Sequence, residues 1–120
     1  MLDTHIFLWG LSEPEKIPQA FRRELDSLAN TCFVSSVSIV EIMIKVSIGK
    51  LDIPFDPLSE ADEAGFEMMN FSGEYAGPLR DLPFHHRDPF DRMLIAQGLT
   101  RKLPIMTCDH KFGMYDCKLI

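Results

Sequence analysis

The stretch RDPFDRMLIAQGLTRKLPIMTC, residues 87–108, joins a helical pattern to a strand pattern. Pro89 marks the start of the helix, because proline is favoured at the first helical position. Apolar residues then recur at helical spacing. LPIMTC is a short apolar run that predicts a buried strand. A helix that leads directly into a buried strand is typical of α/β folds with a parallel sheet.

The same alternation runs through the rest of the chain. Its first part predicts a buried apolar segment (THIFLWGLS), an amphipathic helix (PQAFRRELDSLAN), a buried strand (TCFVS) and a helix (SVSIVEIMIKVSIGK) that ends at Gly49. This last helix is apolar almost all round and is expected to be deeply packed. Later segments predict a short acidic helix (PLSEADEAG), a strand (FEMMNF), another short helix (SGEYAGPLRDLP) and a last strand (DCKLI). The pattern predicts one α/β domain over residues 1–120, with a largely parallel sheet covered on both faces.

Cysteine usage and hydropathy narrow the class of protein. Cys32, Cys108 and Cys117 are odd in number and show no CxxC spacing, which argues against a disulfide framework and a structural zinc site. The start of the chain has no signal pattern, and no apolar run approaches the length of a membrane span. We therefore expect a protein of the reducing cytoplasm.

The net charge of −6, from 12 basic and 18 acidic side chains, argues against a non-specific nucleic-acid binder. It does not exclude a nuclease, because metal ions held by acidic residues would set the charge that a phosphate meets. An acidic surface also suits a basic protein partner.

Two aspartates stand at the start of the helix in the opening stretch. Asp88 precedes Pro89 and is predicted to be the N-cap. Asp91 is then the third helical residue, where an acid suits the helix dipole and resembles a capping box. Asp91 shares its face with Leu94 and Ile95, so its carboxylate is predicted to point inward. On spacing alone, capping and metal binding both remain open for Asp91.

Glu41 lies within the most apolar helix, where a carboxylate needs a partner because burying it alone is costly. Three partners are compatible with the spacing. Ser38 and Glu41 have the spacing of a capping box. Lys45 follows four residues later, in the favourable orientation for a helical ion pair. A metal ion is the third alternative.

Asp3 and Asp109 each follow an apolar strand segment, and ligands of parallel sheets bind outside the carboxyl ends of the strands. Thr4 and Thr107 stand beside them and are expected to orient them by hydrogen bonds. Ordinary exposure at the terminus for Asp3, and capping of the next turn for Asp109, are the simpler alternatives.

Taken together, the four acids can converge at one edge of the sheet. Clustered carboxylate oxygens suit Mg²⁺ or Mn²⁺, and two such ions can assist phosphodiester cleavage. The pattern fits other phosphoryl-transfer folds poorly: receiver domains need paired acids near the first strand, and dehalogenase-type phosphatases need DxD. This chain has only Asp3 there, within LDTH.

Four segments in order resemble the PIN domain, specifically the toxin ribonucleases of VapC type found in type II toxin-antitoxin systems. They are LDTHIFLW around Asp3, SVSIVEIMIKVSIGKL around Glu41, HHRDPFDRMLIAQ around Asp91, and TCDHKF around Asp109. The resemblance implies a three-layer α/β/α fold. It also implies an endoribonuclease whose acidic quartet, these same four residues, is catalytic through the Mg²⁺ or Mn²⁺ that it holds.

The resemblance further implies metal-assisted hydrolysis without a protein nucleophile. Thr107 matches the hydroxyl residue beside the last acid, and Thr4, Lys45 and Arg92 are expected to support the site. Arg92 would bind RNA phosphate or stabilise charge, although a solvated helix position is an equal alternative. The histidines, His5, His85, His86 and His110, are expected to be ordinary surface or core residues rather than substrate contacts.

The implied partners are an RNA substrate, a second copy of the chain in a homodimer, and a small antitoxin that alone contacts operator DNA. One departure from the family pattern is that few apolar residues precede LDTH, so the first strand is expected to be a stub that holds Asp3 less rigidly. The alternative function is a non-catalytic PIN-like module that binds a partner or regulates transcription with it.

Overall fold

The computed structural model describes residues 1–120, and helices dominate it. Five α-helices are present: α1 (Thr4–Ser12), α2 (Gln19–Asp26), α3 (Ser36–Ser47), α4 (Pro57–Glu63) and α5 (Pro89–Arg101). Two short strands are present: β1 (Phe33–Ser35) and β2 (Glu67–Met69). Three 3₁₀ segments complete the chain, at Pro14–Lys16, Gly73–Arg80 and His110–Met114. No helix is long and apolar enough to cross a bilayer.

The sheet is parallel throughout, as the sequence predicted. β1 pairs with β2 in the register Val34↔Met68. Leu2 bridges Val34 on one side and Met106 on the other, and Ile105 bridges Leu119, all in parallel. The predicted strands LPIMTC and DCKLI are therefore present as single bridges rather than full strands. Their order places the first residues of the chain in the middle of the sheet.

Met1 and Leu2 form the short central segment expected from the sequence, and neighbours hold it on both sides. The Leu2 amide donates to the Phe33 carbonyl at 2.9 Å, and the Asp3 amide donates to the Met106 carbonyl at 3.0 Å. The Met106 amide in turn donates to the Met1 carbonyl at 2.9 Å. Pairing on both sides fixes the backbone leading to Asp3, despite the shortness of the segment.

Helices cover both faces of the sheet, which gives the predicted three layers. Successive residues of a strand point to opposite faces, and here they enter two separate apolar clusters. Met1 and Ile105 join the cluster formed with α5, whereas Leu2 and Met106 join the cluster formed with α1. Because each face is buried, the register of the short sheet segments is strongly specified.

Two expectations about helices are wrong. α2 ends at Asp26 rather than Asn30, and Leu28 beyond it is fully exposed. α3 is not packed all round: its inner face is buried, while its outer face leaves several large apolar side chains exposed, namely Val40, Met43, Ile44 and Val46. Periodicity could not reveal this, because apolar residues occupy both faces. Gly49 does end the helical segment, with the positive φ of 73° that favours glycine.

Candidate metal centre

Asp3 and Asp109 both lie where a segment of the sheet ends and a helix begins. The Asp3 carboxylate accepts the Ile6 amide at 2.7 Å as the N-cap of α1. Asp109 accepts the Lys111 amide at 2.9 Å, at the start of the last 3₁₀ segment. Asp3 is only 3% exposed, so the alternative of ordinary terminal exposure is wrong. Each acid is thus oriented by one backbone amide at the carboxyl edge of the parallel sheet.

Asp88 and Asp91 have different positions at the start of α5. Asp88 Oδ1 accepts the amides of Phe90 at 2.8 Å and Asp91 at 3.1 Å, which makes Asp88 the N-cap. The Asp91 carboxylate takes no part in this capping and lies 2.9 Å from the His86 ring nitrogen Nε2. Asp88 therefore stabilises the start of the helix. The Asp91 carboxylate remains available to interact with the other acids at this edge of the sheet.

Glu41 is 2% exposed and satisfied by two side chains. The Thr4 hydroxyl donates to Oε1 at 2.9 Å and also lies 2.9 Å from the Ser38 hydroxyl. The Lys45 ammonium pairs with Oε2 at 2.5 Å, in the geometry expected one helical turn later. The capping-box alternative is wrong, because Ser35 caps α3 and Ser38 stands inside the helix.

The pKa values show that acidic charges gather at this edge of the sheet. Burial, followed by the negative charge of Asp88, raises the pKa of Asp91 to about 7, and Glu41 and Asp3 add to the shift. Burial also raises the pKa of Asp3, which Asp109 raises further. In both residues burial and neighbouring acids disfavour the charged carboxylate more than the nearby histidines favour it.

Two supporting residues, Lys45 and Thr107, also interact with the acidic cluster. Burial acts to lower the pKa of Lys45, but its bond to Glu41 and the charges of Glu41, Asp88 and Asp91 leave that pKa raised. The Thr107 hydroxyl accepts the Asp109 amide at 2.9 Å, and hydrogen bonding by Thr107 opposes the rise in the pKa of Asp3. Thr107 therefore links the two acids that follow the central segments of the sheet.

His86 belongs to the cluster although the sequence pattern gave it no special place. Its Nε2 atom lies 2.9 Å from Asp91 Oδ2 and 2.8 Å from Asp109 Oδ2. Candidate ligand atoms of these three residues all lie within 4.8 Å of one another. HHRDPFD contains a usable signal, because a histidine just before a capped helix can reach the first turn. The sequence shows two adjacent histidines, and only packing distinguishes buried His86 from exposed His85.

Arg92 corrects an expectation. It is 7% exposed, so the solvated alternative is wrong, and its guanidinium is engaged by backbone rather than open to phosphate. It donates to the carbonyls of Leu79, Leu82, Pro83 and His86, at 2.8–3.4 Å. It also lies 4.1 Å from the centre of the Phe84 ring. Arg92 thus fixes the loop that contains His86 and supports the site indirectly, through that loop.

A groove of about 590 Å³ opens beside Glu41 and is lined by both polar and apolar side chains. Thr4, Lys45 and Trp9 contribute to its wall. The exposed His5 ring lies beside Trp9, with 6.1 Å between ring centres.

His110 and Cys108 are also exposed. The prediction that Cys108, at the end of LPIMTC, is a buried strand residue is therefore wrong.

The donor chemistry of the site fits a hard divalent cation. Asp3, Glu41, Asp91 and Asp109 would supply carboxylate oxygens, the ligands that Mg²⁺ and Mn²⁺ prefer. Lys45 supplies positive charge to Glu41, whereas burial and neighbouring acids raise the pKa values of Asp3 and Asp91 more than His5 and His86 lower them. A bound cation would provide the missing charge.

Comparison with known proteins agrees with the fold. The chain is similar to a chain in the crystal structure of VapBC2 from Rickettsia felis bound to a DNA fragment from their promoter. The TM-score is 0.74 and the identity 18%, over 99% of this chain and 94% of that one. None of the curated proteins compared with the chain matches it. The family model described as "PIN domain" matches residues 1–116, and the chain therefore belongs to the PIN domain family.

Proposed function

We propose that this protein is a metal-dependent endoribonuclease that hydrolyses RNA phosphodiester bonds with Mg²⁺ or Mn²⁺ held by Asp3, Glu41, Asp91 and Asp109. One observation carries the proposal: acids from distant parts of the sequence lie near one another at one edge of the sheet, where Glu41 and Asp3 raise the pKa of Asp91 and Asp109 raises that of Asp3. Membership of the PIN family supports nuclease activity for such a cluster.

The bound cation would supply Lewis acidity and stabilise charge that develops on the phosphate. The chain's own residues orient the ligands. Backbone amides hold Asp3 and Asp109, and Thr4 with Lys45 holds Glu41. These bonds set the direction of each carboxylate before substrate arrives, which favours catalysis by reducing reorganisation. We assign no protein nucleophile.

We further propose that the nuclease is the VapC-type toxin of a type II toxin-antitoxin pair and acts in the cytoplasm. The likeness to a chain of a VapBC2 complex supports this proposal. A small antitoxin would cover the groove beside Glu41, and it would contact operator DNA while the toxin does not. The exposed apolar face of α3 is compatible with a homodimer or with antitoxin binding.

Cleavage of RNA by purified protein tests the catalytic proposal. With Mg²⁺ or Mn²⁺ we expect cleavage that EDTA abolishes, and we expect Asp91→Asn to lower the rate at least 100-fold because the cation loses a ligand. Asp62→Asn, an exposed change of the same type, should retain the wild-type rate. Gel analysis of cleavage products over time provides the measurement.

The Asp88→Ala variant tests whether Asp88 is only the N-cap of α5 while Asp91 is the metal ligand. Loss of the N-cap should cost about 1 kcal/mol of stability while leaving more activity than Asp91→Asn. Equal loss of activity in both folded variants would contradict the different roles given to the two aspartates. Activity that persists in EDTA and in Asp91→Asn would overturn the nuclease mechanism. Folded protein that binds an antitoxin but never cleaves RNA would favour the non-catalytic alternative.

A further inference from the structure

We propose that His86 is a positioning residue that holds Asp91 and Asp109 together for the cation, acting as a hydrogen-bond donor and not as a metal ligand. The inference rests on the proposed metal site and adds a residue to it. Its observation is the pair of contacts from Nε2 to one oxygen of each aspartate, at 2.9 and 2.8 Å.

The contact made by the other ring nitrogen, Nδ1, indicates whether Nε2 is a hydrogen-bond donor or a metal ligand. The Asp88 amide donates to His86 Nδ1 at 3.2 Å, so Nδ1 presents its lone pair and has no proton. The proton of the neutral ring then lies on Nε2, between the two carboxylates. A nitrogen that holds a proton has no lone pair for a metal, so proximity to the acids does not make His86 a ligand. The Nε2–H group then donates to Asp109 Oδ2 at 2.8 Å, and Asp91 Oδ2 lies 2.9 Å from the same nitrogen.

Three groups outside the ring hold His86 in this position. The His86 amide donates to the Tyr115 hydroxyl at 2.8 Å, and the Tyr115 hydroxyl donates to the Pro83 carbonyl at 2.7 Å. Arg92 donates to the His86 carbonyl at 3.2 Å. The Phe112 ring meets the imidazole edge to face, with 5.8 Å between ring centres. With main chain and ring both fixed, Nε2 is a rigid reference point for the two aspartates.

This arrangement leaves carboxylate lone pairs open for a cation. Asp109 accepts the Lys111 amide at Oδ1 and His86 at Oδ2, and each of these oxygens keeps a second lone pair. The Asp91 carboxylate lies 2.9 Å from His86 Nε2 and accepts no hydrogen bond. Without the Nε2–H group beside both of them, two carboxylates from separate elements would repel each other and move apart. Loss of a group that orients metal ligands typically weakens metal binding 10- to 100-fold.

Mn²⁺ binding, measured by calorimetry without RNA, tests the proposal in matched variants. His86→Gln keeps an N–H donor near the position of Nε2, whereas His86→Asn has the same amide on a shorter side chain. We expect His86→Gln to bind within about 5-fold of wild type and His86→Asn to bind at least 10-fold more weakly. Asp62→Asn changes an exposed side chain on α4 and should bind Mn²⁺ like wild type.

Nitrogen-15 NMR of the histidine rings in wild-type protein provides a second readout, which does not depend on variant folding. We expect Nε2 of His86 to have a proton, and Nδ1 to have none, both before and after Mg²⁺ is added. A proton on Nδ1, or loss of the Nε2 proton when Mg²⁺ binds, would overturn the donor role. So would wild-type Mn²⁺ affinity in His86→Asn.

Failure of the proposed function gives a different result. A wild-type protein that binds no Mn²⁺ and cleaves no RNA would reject the metal site itself, and with it the role of His86. A wild-type protein that binds Mn²⁺ as tightly as His86→Asn would reject the role of His86 alone.

Discussion

Asp91 shows how a single residue can be costly to the fold and suited to function. Its neighbour Asp88, three positions earlier, is stabilised by two backbone amides. Burial and the charges of Asp88, Glu41 and Asp3 raise the pKa of Asp91 to about 7, although His86 acts to lower it. Carboxylates kept in this condition are frequent at functional sites. A cation bound beside Asp91 would recover part of the stability that its charged form costs.

The raised pKa gives a pH-dependent prediction for the metal-free protein. The folded pKa of about 7 exceeds the ordinary value of 3.8, so the stabilising contribution of Asp91 is present at low pH and is lost as pH rises through 7. Asn resembles the protonated acid and cannot ionise. In EDTA, the gain in stability of Asp91→Asn over wild type should be larger at pH 8 than at pH 5, by about 1–3 kcal/mol.

Urea denaturation at the two pH values measures this difference. Asp62→Asn, at an exposed site, serves as the control and should show no pH-dependent gain. An equal effect of Asp91→Asn at pH 5 and pH 8 would mean that Asp91 has an ordinary pKa in the folded protein.

At the scale of elements, α5 is placed by close packing against the sheet. Gly98 allows this approach, because a Cβ atom there would lie 2.8 Å from Ile105 Cδ1 and 3.0 Å from Ile105 Cγ1. Ile105 is fully buried and bridges to Leu119, so it has little room to move. The contact also sets the position of Asp91, which stands two turns earlier on the same helix.

Gly98→Ala is therefore expected to destabilise the protein by about 1–2 kcal/mol, since overpacking exceeds the gain in helix propensity. Adding Ile105→Val removes Cδ1, and the two changes together should cost less than the sum of their separate effects. Gly77→Ala is the control, because a Cβ at that position meets nothing within 4 Å. Thermal and urea unfolding of the single and double variants measures the coupling. Strict additivity would show that the Gly98–Ile105 contact is not the constraint.

At the scale of the whole molecule, the acidic site depends on the complete fold. Its acids come from the starts of α1 and α5, the middle of α3 and the end of a central sheet segment. An unfolded chain would hold these residues far apart. A cation that binds all four acids would consequently bind the folded state and stabilise it by mass action.

Mn²⁺ should therefore raise the melting temperature of wild-type protein. At a free concentration of 100 times Kd, the expected stabilisation is about 2.7 kcal/mol, or roughly 10 °C for a domain of this size. Asp91→Asn should show a much smaller increase, and Asp62→Asn should match wild type. Differential scanning fluorimetry with a Mn²⁺ titration measures the shift. Equal shifts in wild type and Asp91→Asn would place the bound ion elsewhere on the protein.

The sequence by itself determined the fold class, the parallel sheet and the N-terminus of α5. These features follow from local periodicity and from Asp88 and Pro89, which act on neighbouring residues. It also indicated four acids as candidates, because acids that follow strands or interrupt an apolar helix stand out from their surroundings. The distances between these acids could not be predicted from the sequence.

Only the tertiary structure decided the burial and contacts of His86 and Arg92 and the exposure of the outer face of α3. Nothing in HHRDPFDR tells which histidine is buried, since that depends on Phe112 and Tyr115 from the far end of the chain. Arg92 is likewise defined by loop carbonyls that its own helix does not contain. Local interactions depend on neighbouring residues and can therefore be predicted from the sequence. Burial, shared hydrogen bonds and shifted pKa values arise only where distant segments of the chain meet.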